Sequence, residues 1–123
     1  MQYQVPPSGQ YIQGLCPPEW HVPTETEWAD LETFYNGPGL AGWSLIDPNP
    51  AFGFHALTLG ILYQNIFWAF SSTGFPATMF WTSTPSPSNS SRVYTHGVNQ
   101  VNASVSKYFS GRGNAFPVRC VKD

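Results

Sequence analysis

The sequence predicts a single α+β domain, and three observations carry that reading. A capping box opens a helix at Thr24, a string of strand-like pieces follows from residue 53, and 123 residues suffice for one core but not for two. Residues 1–10, with Pro6, Pro7 and Gly9, read as a lead-in arm, and residues 11–123 as the domain. "YIQGL" at 11–15 fits a short first strand. Pro17 and Pro18 then prevent regular pairing, and "WHV" at 20–22 is extended until Pro23 closes it.

The helix is the next element. The Thr24 side chain can accept from the N–H of Glu27 while the Glu27 carboxylate reaches back to the N–H of Thr24. Trp28, Leu31 and Phe34 or Tyr35 recur at helical spacing, so "ETEWADLETFY" is expected to bury that stripe and to expose Glu25, Asp30 and Glu32. Asn36-Gly37-Pro38-Gly39 ends it. The acids crowded into "CPPEWHVPTETEW" thus sit where a helix start favours negative charge, which gives them a structural explanation.

Beyond residue 40 the sequence shows no second clear helix. "GFHAL" (53–57), "NIFWAF" (65–70), "ATMFWTST" (77–84), "RVYTHGV" (92–98), "SVSKYF" (104–109) and "FPVRCV" (116–121) are the strand-like pieces, separated by Gly, Pro, Ser and Asn turns. "PSPSNSS" (85–91) is a surface loop by composition and a candidate rim for a site.

Charged residues make up 10% of the chain, less than half of the roughly 25% usual in soluble domains, so uncharged polar groups must wet most of the surface. That suits an extracellular or cell-surface module. Six of the seven Asp and Glu lie before residue 48 and all five Lys and Arg after residue 91, with no clustered basic stripe, which argues against nucleic acid as a partner. Residues 48–91 carry no charge, and the apolar run 52–70 approaches the length of a membrane span. His55, Gln64 and Asn65, two glycines and β-rich patches such as "IFWAF" argue that it does not cross. "MQYQVPPSG" lacks the basic start and apolar run of a signal peptide, so the protein either stays inside or has its export segment outside this sequence.

Cys16 and Cys120 are the two cysteines, too few for a zinc site without histidine help. They are either two unrelated buried thiols or a disulfide. A disulfide would restrict the unfolded chain by about 4 to 5 kcal/mol and would require an oxidising compartment.

Four phrases carry a resemblance. "GLCPPEWHVPTETEW", "GFHAL", "FWTST" and "FPVRCVKD" resemble, in order, Cys-Pro-x-Gly-Trp-His-Val-Pro-Thr-x-x-Glu-Trp, Gly-Phe-x-Ala-Leu, Trp-Trp-Ser-Ser-Thr and Phe-x-Val-Arg-Cys-Val. These are motifs of the Fibrobacter succinogenes major paralogous domain family, common in surface and secreted proteins of Bacteroidetes and related bacteria. The resemblance runs over residues 11–123 and departs at Glu19, where the family has glycine, at Phe80 and Thr82, and at "TLGILYQ" in place of a Gly-Gly-Tyr-Arg stretch. It implies a C-type-lectin-like fold, related to formylglycine-generating enzyme and to retroelement-diversified receptor-binding proteins: one or two helices near the N-terminus, then short twisted antiparallel strands. In such folds the terminal strands pair side by side, which favours the Cys16–Cys120 disulfide.

The fold hosts binders, enzymes and structural parts, so function has to come from sites. His21, His55 and His96 lie far apart without metal spacing, and His21 reads as an imidazole hydrogen-bonded to backbone near the helix entry. "DPNP" (47–50) is a proline-fixed turn with one carboxylate, too few oxygens for calcium. Both cysteines are taken by the terminal motifs, and neither a Gly-x-Ser-x-Gly elbow nor a central acid pair is present, so neither an enzyme nor a cofactor is expected. A recognition surface remains. Trp68, Trp81, Tyr94 and Tyr108 are candidates for stacking on a glycan or anchoring a protein, with His96, Asn99, Asn102 and Arg112 fixing orientation. Trp20 and Trp28 are assigned to the core. The expected function is a non-enzymatic binding module working through residues 82–114, with a self-assembling fimbrial, fibre or filament subunit as the alternative.

Overall fold

The computed structural model describes residues 13–47, 53, 54, 56, 61–68, 78–98 and 103–123. In chain order the elements are β1 (Trp20–His21), α1 (Glu25–Phe34), α2 (Ala41–Ile46), β2 (Ile61–Tyr63), β3 (Ile66–Trp68), β4 (Thr78–Pro85), β5 (Arg92–Val98), β6 (Ser106–Gly111) and β7 (Val121–Lys122). The class is α+β, with two helices and small antiparallel sheets.

Helix α1 begins as its sequence dictates. Thr24 Oγ1 accepts from the Glu27 N–H, and the Glu27 carboxylate accepts from the Thr24 N–H. It ends in a Schellman turn. Asn36 takes a left-handed φ of 71°, the Gly37 N–H donates to the Glu32 carbonyl at 2.7 Å, and the Asn36 N–H donates to Thr33 at 3.1 Å. Trp28 and Tyr35 are buried with Leu31 packed beside them, while Phe34 is 78% exposed. Asp30 is exposed as expected, but the expected exposure of Glu25 and Glu32 is corrected: Glu32 is buried and Glu25 partly buried, because both meet His96 of β5.

The second helix, α2, fits the one or two helices expected near the front, although no local signal marked its place. "AGWSLI" contains glycine and serine and has only six residues, so tertiary contacts hold it rather than propensity. The Gly42 N–H donates to the Ala103 carbonyl at 2.7 Å, and the Ala56 N–H donates to Leu45 at 2.6 Å. A Cβ at Gly42 would lie 2.7 Å from the Ala103 carbonyl oxygen, so only glycine allows this approach.

Strands β4, β5 and β6 form one antiparallel sheet in that order. Pairing sets Phe80, His96 and Lys107 in one row and Trp81, Thr95 and Tyr108 in the next, on opposite faces. Against the first face pack Trp28, Tyr35, Ala41 and Leu45 of the helical side, together with Ala56, Phe80 and Val98. Against the second, Ile61 of the β2–β3 hairpin and Phe116 join Met79, Trp81 and Val93. The sheet is therefore the middle layer of two small cores.

The apolar run around 52–70 contains the β2–β3 hairpin, whose turn residues Gln64 and Asn65 have φ of 50° and 64°. Among the described residues no helix is long and apolar enough to cross a membrane. "RVYTHGV" is β5 as expected, and "FPVRCV" contributes only Val121 to a strand. Its earlier part runs beside β4, with the Trp81 N–H donating to Pro117 at 3.2 Å. The described parts of "YIQGL" and "GFHAL" are turn and coil rather than strand, and residues 11, 12, 55 and 57 lie outside the described residues.

The two ends of the fold are joined twice. β1 pairs antiparallel with β7, Trp20 opposite Lys122 and His21 opposite Val121. Cys16 and Cys120, 104 residues apart, form a disulfide with their Cα atoms at 5.8 Å. Alternation along β1 turns His21 inward and leaves Trp20 39% exposed, which corrects its assignment to the core.

Candidate functional site

The sequence-predicted contact residues divide into four groups. Asn99, Asn102 and the side chain of Trp68 lie outside the described residues, as does His55. His96 is enclosed, 2% exposed. Its Nε2 lies 2.5 Å from a Glu25 oxygen and its Nδ1 hydrogen-bonds Glu32, while its ring stacks on Trp28 with centroids 5.3 Å apart. Glu25 also accepts from Lys107 Nζ at 3.0 Å, so an ion chain, buried at His96 and Glu32 and open to solvent at Lys107, fastens α1 to β5 and β6. Burial pushes the His96 imidazole down, but hydrogen bonds to Glu32 and Glu25 and their negative charges outweigh it, and the net shift is upward. The Lys107 ammonium is also raised, chiefly by its hydrogen bond to Glu25.

Tyr94 and Tyr108 form the third group. Tyr94 opposes Phe109 on the helix-facing side, ring centroids 4.6 Å apart, with Lys107 Nζ 5.3 Å from its ring centre. Tyr108 opposes Thr95 on the other side. The two tyrosines therefore belong to different faces and do not make one patch. Lys107, Tyr108 and Phe109 are nevertheless exposed in succession, so strand β6 stands out from the body with rings on both sides.

Trp81 and Arg112 are the pair the fold brings together. Both line a cleft of about 290 Å³ with Leu15, Val93, Asn114, Ala115 and Phe116. Trp81 is 8% exposed, and its ring meets Phe116 at 4.7 Å between centroids, so it is a wall of this cleft rather than a free stacking platform. Each polar rim residue is positioned by a loop. Arg112 Nη2 donates to the Ser90 carbonyl at 3.0 Å, tying the cleft to the "PSPSNSS" loop. Asn114 Oδ1 accepts from the Gln64 N–H of the hairpin at 2.9 Å, and its Nδ2 donates to Gly111 at 3.1 Å. An apolar floor with a guanidinium and an amide at its edge is the chemistry of recognition.

His21 has different partners from those expected. Its Nδ1 lies 2.6 Å from Asp123 Oδ1 and its Nε2 2.9 Å from Glu27 Oε1, so two carboxylates hold it between α1 and the end of β7. Among the described residues no group of three or more His, Cys, Asp or Glu side chains could hold a metal ion.

The comparisons with known proteins come down to one match. The family model described as the Fibrobacter succinogenes major domain matches residues 8–122. The chain belongs to this family. Neither a curated protein nor a solved structure matches it. In the motifs of the family, "GLCPPEWHVPTETEW" supplies Cys16, the inward His21 and the capping box, and "FPVRCVKD" supplies Phe116 of the cleft floor and Cys120. The cleft itself escaped sequence reasoning because Leu15, Trp81, Arg112 and Phe116 meet only in the fold. The acid pair that holds His96 did leave a signal: Glu25, Trp28 and Glu32 are three and four residues apart and share one helix face.

Proposed function

We propose that this domain is a non-enzymatic binding module of C-type-lectin-like architecture, acting outside the cell or on its surface, which recognises a glycan or protein ligand. The observation that carries the reading is the convergence of Trp81 and Arg112, 31 positions apart, on one cleft with an apolar floor and a polar rim. The exposed Tyr108 ring, on the same face of the sheet as Trp81, extends the available contact surface beside it. The Cys16–Cys120 bond supports an oxidising location, because such bonds persist outside the reducing cytosol. Within this reading, residues 82–114 are where sequence variants change ligand choice.

The test is a glycan and protein-partner array probed with the full chain and with Arg112→Ala. Arg112 is exposed, so the variant is expected to keep its melting temperature and to lose binding by about tenfold or more. Unchanged binding moves the site elsewhere. A second reading, a self-assembling structural subunit, draws on Phe34, Leu40 and Trp43, which are exposed around the turn between α1 and α2. A monodisperse monomer in light scattering at high concentration discards it.

A further inference from the structure

A larger cleft, about 600 Å³, lies between α1 and the terminal β1–β7 ribbon, away from the Trp81 cleft. Trp28, Leu31 and Phe54 form much of its apolar wall. Trp20 flanks it with an exposed indole, and the β1–β7 register sets Lys122 directly across from Trp20. Arg119 stacks its guanidinium on the Phe54 ring at 4.7 Å, which fixes the head while its N–H fork has no partner among the described residues.

Among the described residues, three of the charges on this rim are not committed elsewhere. The ion pairs among the described residues involve neither Arg119, Lys122 nor Asp30. Glu27, also in the wall, is already held by His21 and Thr24. Trp28 in addition keeps a buried indole N–H without an acceptor. The cleft therefore offers two cations on one wall, one free carboxylate on the helix opposite, and flat apolar surface between them.

We propose that this cleft is a second ligand site, for a carboxylate-bearing sugar residue of an acidic polysaccharide, a uronic acid. Arg119 pairs with the carboxylate through its planar fork, and Lys122 adds a second positive charge. The C–H face of the pyranose lies on the Trp20 indole, whose ring is electron-rich toward such a face. Asp30 accepts from sugar hydroxyls, and a cavity of this size has room for a short oligosaccharide segment. A peptide is less well matched, because two free cations face one free acid and the exposed platform is an open ring rather than a closed side-chain pocket.

The test uses the full chain, titrated with trigalacturonic acid and with its fully methyl-esterified form, which keeps the shape and removes the charge. The acid is expected to bind and to shift the Trp20 indole N–H resonance, with the ester about tenfold or more weaker. Added salt weakens the acid and not the ester. Lys122→Gln, at an exposed position, and Arg119→Gln lower affinity for the acid alone, whereas Arg112→Ala leaves it unchanged, which separates this site from the Trp81 cleft. Absence of binding, equal affinity for acid and ester, an unmoved Trp20 resonance, or equal binding of a blocked acidic tripeptide overturns the proposal.

Discussion

Replacing His96 with glutamine tests the buried His96–Glu32 pair that sets helix against sheet. Glu32 has a side chain only 7% exposed, and in His96→Gln it loses its charged partner while staying buried. Removing one member of a buried pair costs about 3 to 5 kcal/mol, far above the value of a surface pair. The pH dependence gives a sharper signature. The folded His96 is raised above its ordinary 6.5, so the folded state holds the proton more tightly than the unfolded chain does. Its contribution is therefore complete below the unfolded value and is lost as pH rises through the folded one, with a slope of at most about 1.4 kcal/mol per pH unit. Urea denaturation of both proteins from about pH 6 to about pH 9 measures this, since most other titrations cancel in the difference. The stability gap is expected to narrow as pH rises. A gap independent of pH, or a His96 imidazole titrating by NMR at or below 6.5, refutes the reasoning.

Three further variants probe the frame. Cys16→Ser with Cys120→Ser opens a loop of 104 residues and is expected to cost about 4 to 5 kcal/mol in urea denaturation, a loss under about 1 kcal/mol being contrary. Glu19 sits at φ 68°, a left-handed conformation that costs a side-chain-bearing residue about 1 kcal/mol or more, so Glu19→Gly is expected to raise the melting temperature. Gly42→Ala forces its new carbon to within 2.7 Å of the Ala103 carbonyl oxygen and is expected to destabilise by about 1 to 3 kcal/mol, read by thermal melting.

Much of this frame was legible in the sequence, and the exceptions have physical causes. Helix α1 could be read because its signals are local: Thr24 and Glu27 cap one end, and Asn36 and Gly37 close the other. Strand β5 was legible as a β-branched and aromatic run between turns. Helix α2 was not, because "AGWSLI" owes its shape to Ala103 and Ala56 rather than to its own residues. Strand β3 lies within the expected "NIFWAF", but its partner β2 was hidden by the turn, where Gln64 and Asn65 hold left-handed conformations without the glycine that usually marks them. Glu32 read as solvent-facing because an acid on a helix usually is, and only the long-range meeting with His96 reverses that. The contact surface suffered most. Tyr94 and Tyr108 are both polar-edged rings in one stretch of sequence, yet strand pairing sends them to opposite faces, while Leu15 and Phe116 join Trp81 from either end of the chain.

The central claim is that the Trp81 and Arg112 cleft holds the ligand. Two-dimensional NMR of the isotope-labelled domain, titrated with the strongest array-selected ligand, tests it most directly. The account predicts shifts in the Trp81 indole N–H, the Arg112 side chain and the Asn114 amide, with the buried His96 signals unmoved. Saturable binding that leaves those three resonances in place, and moves others across the sheet, contradicts it.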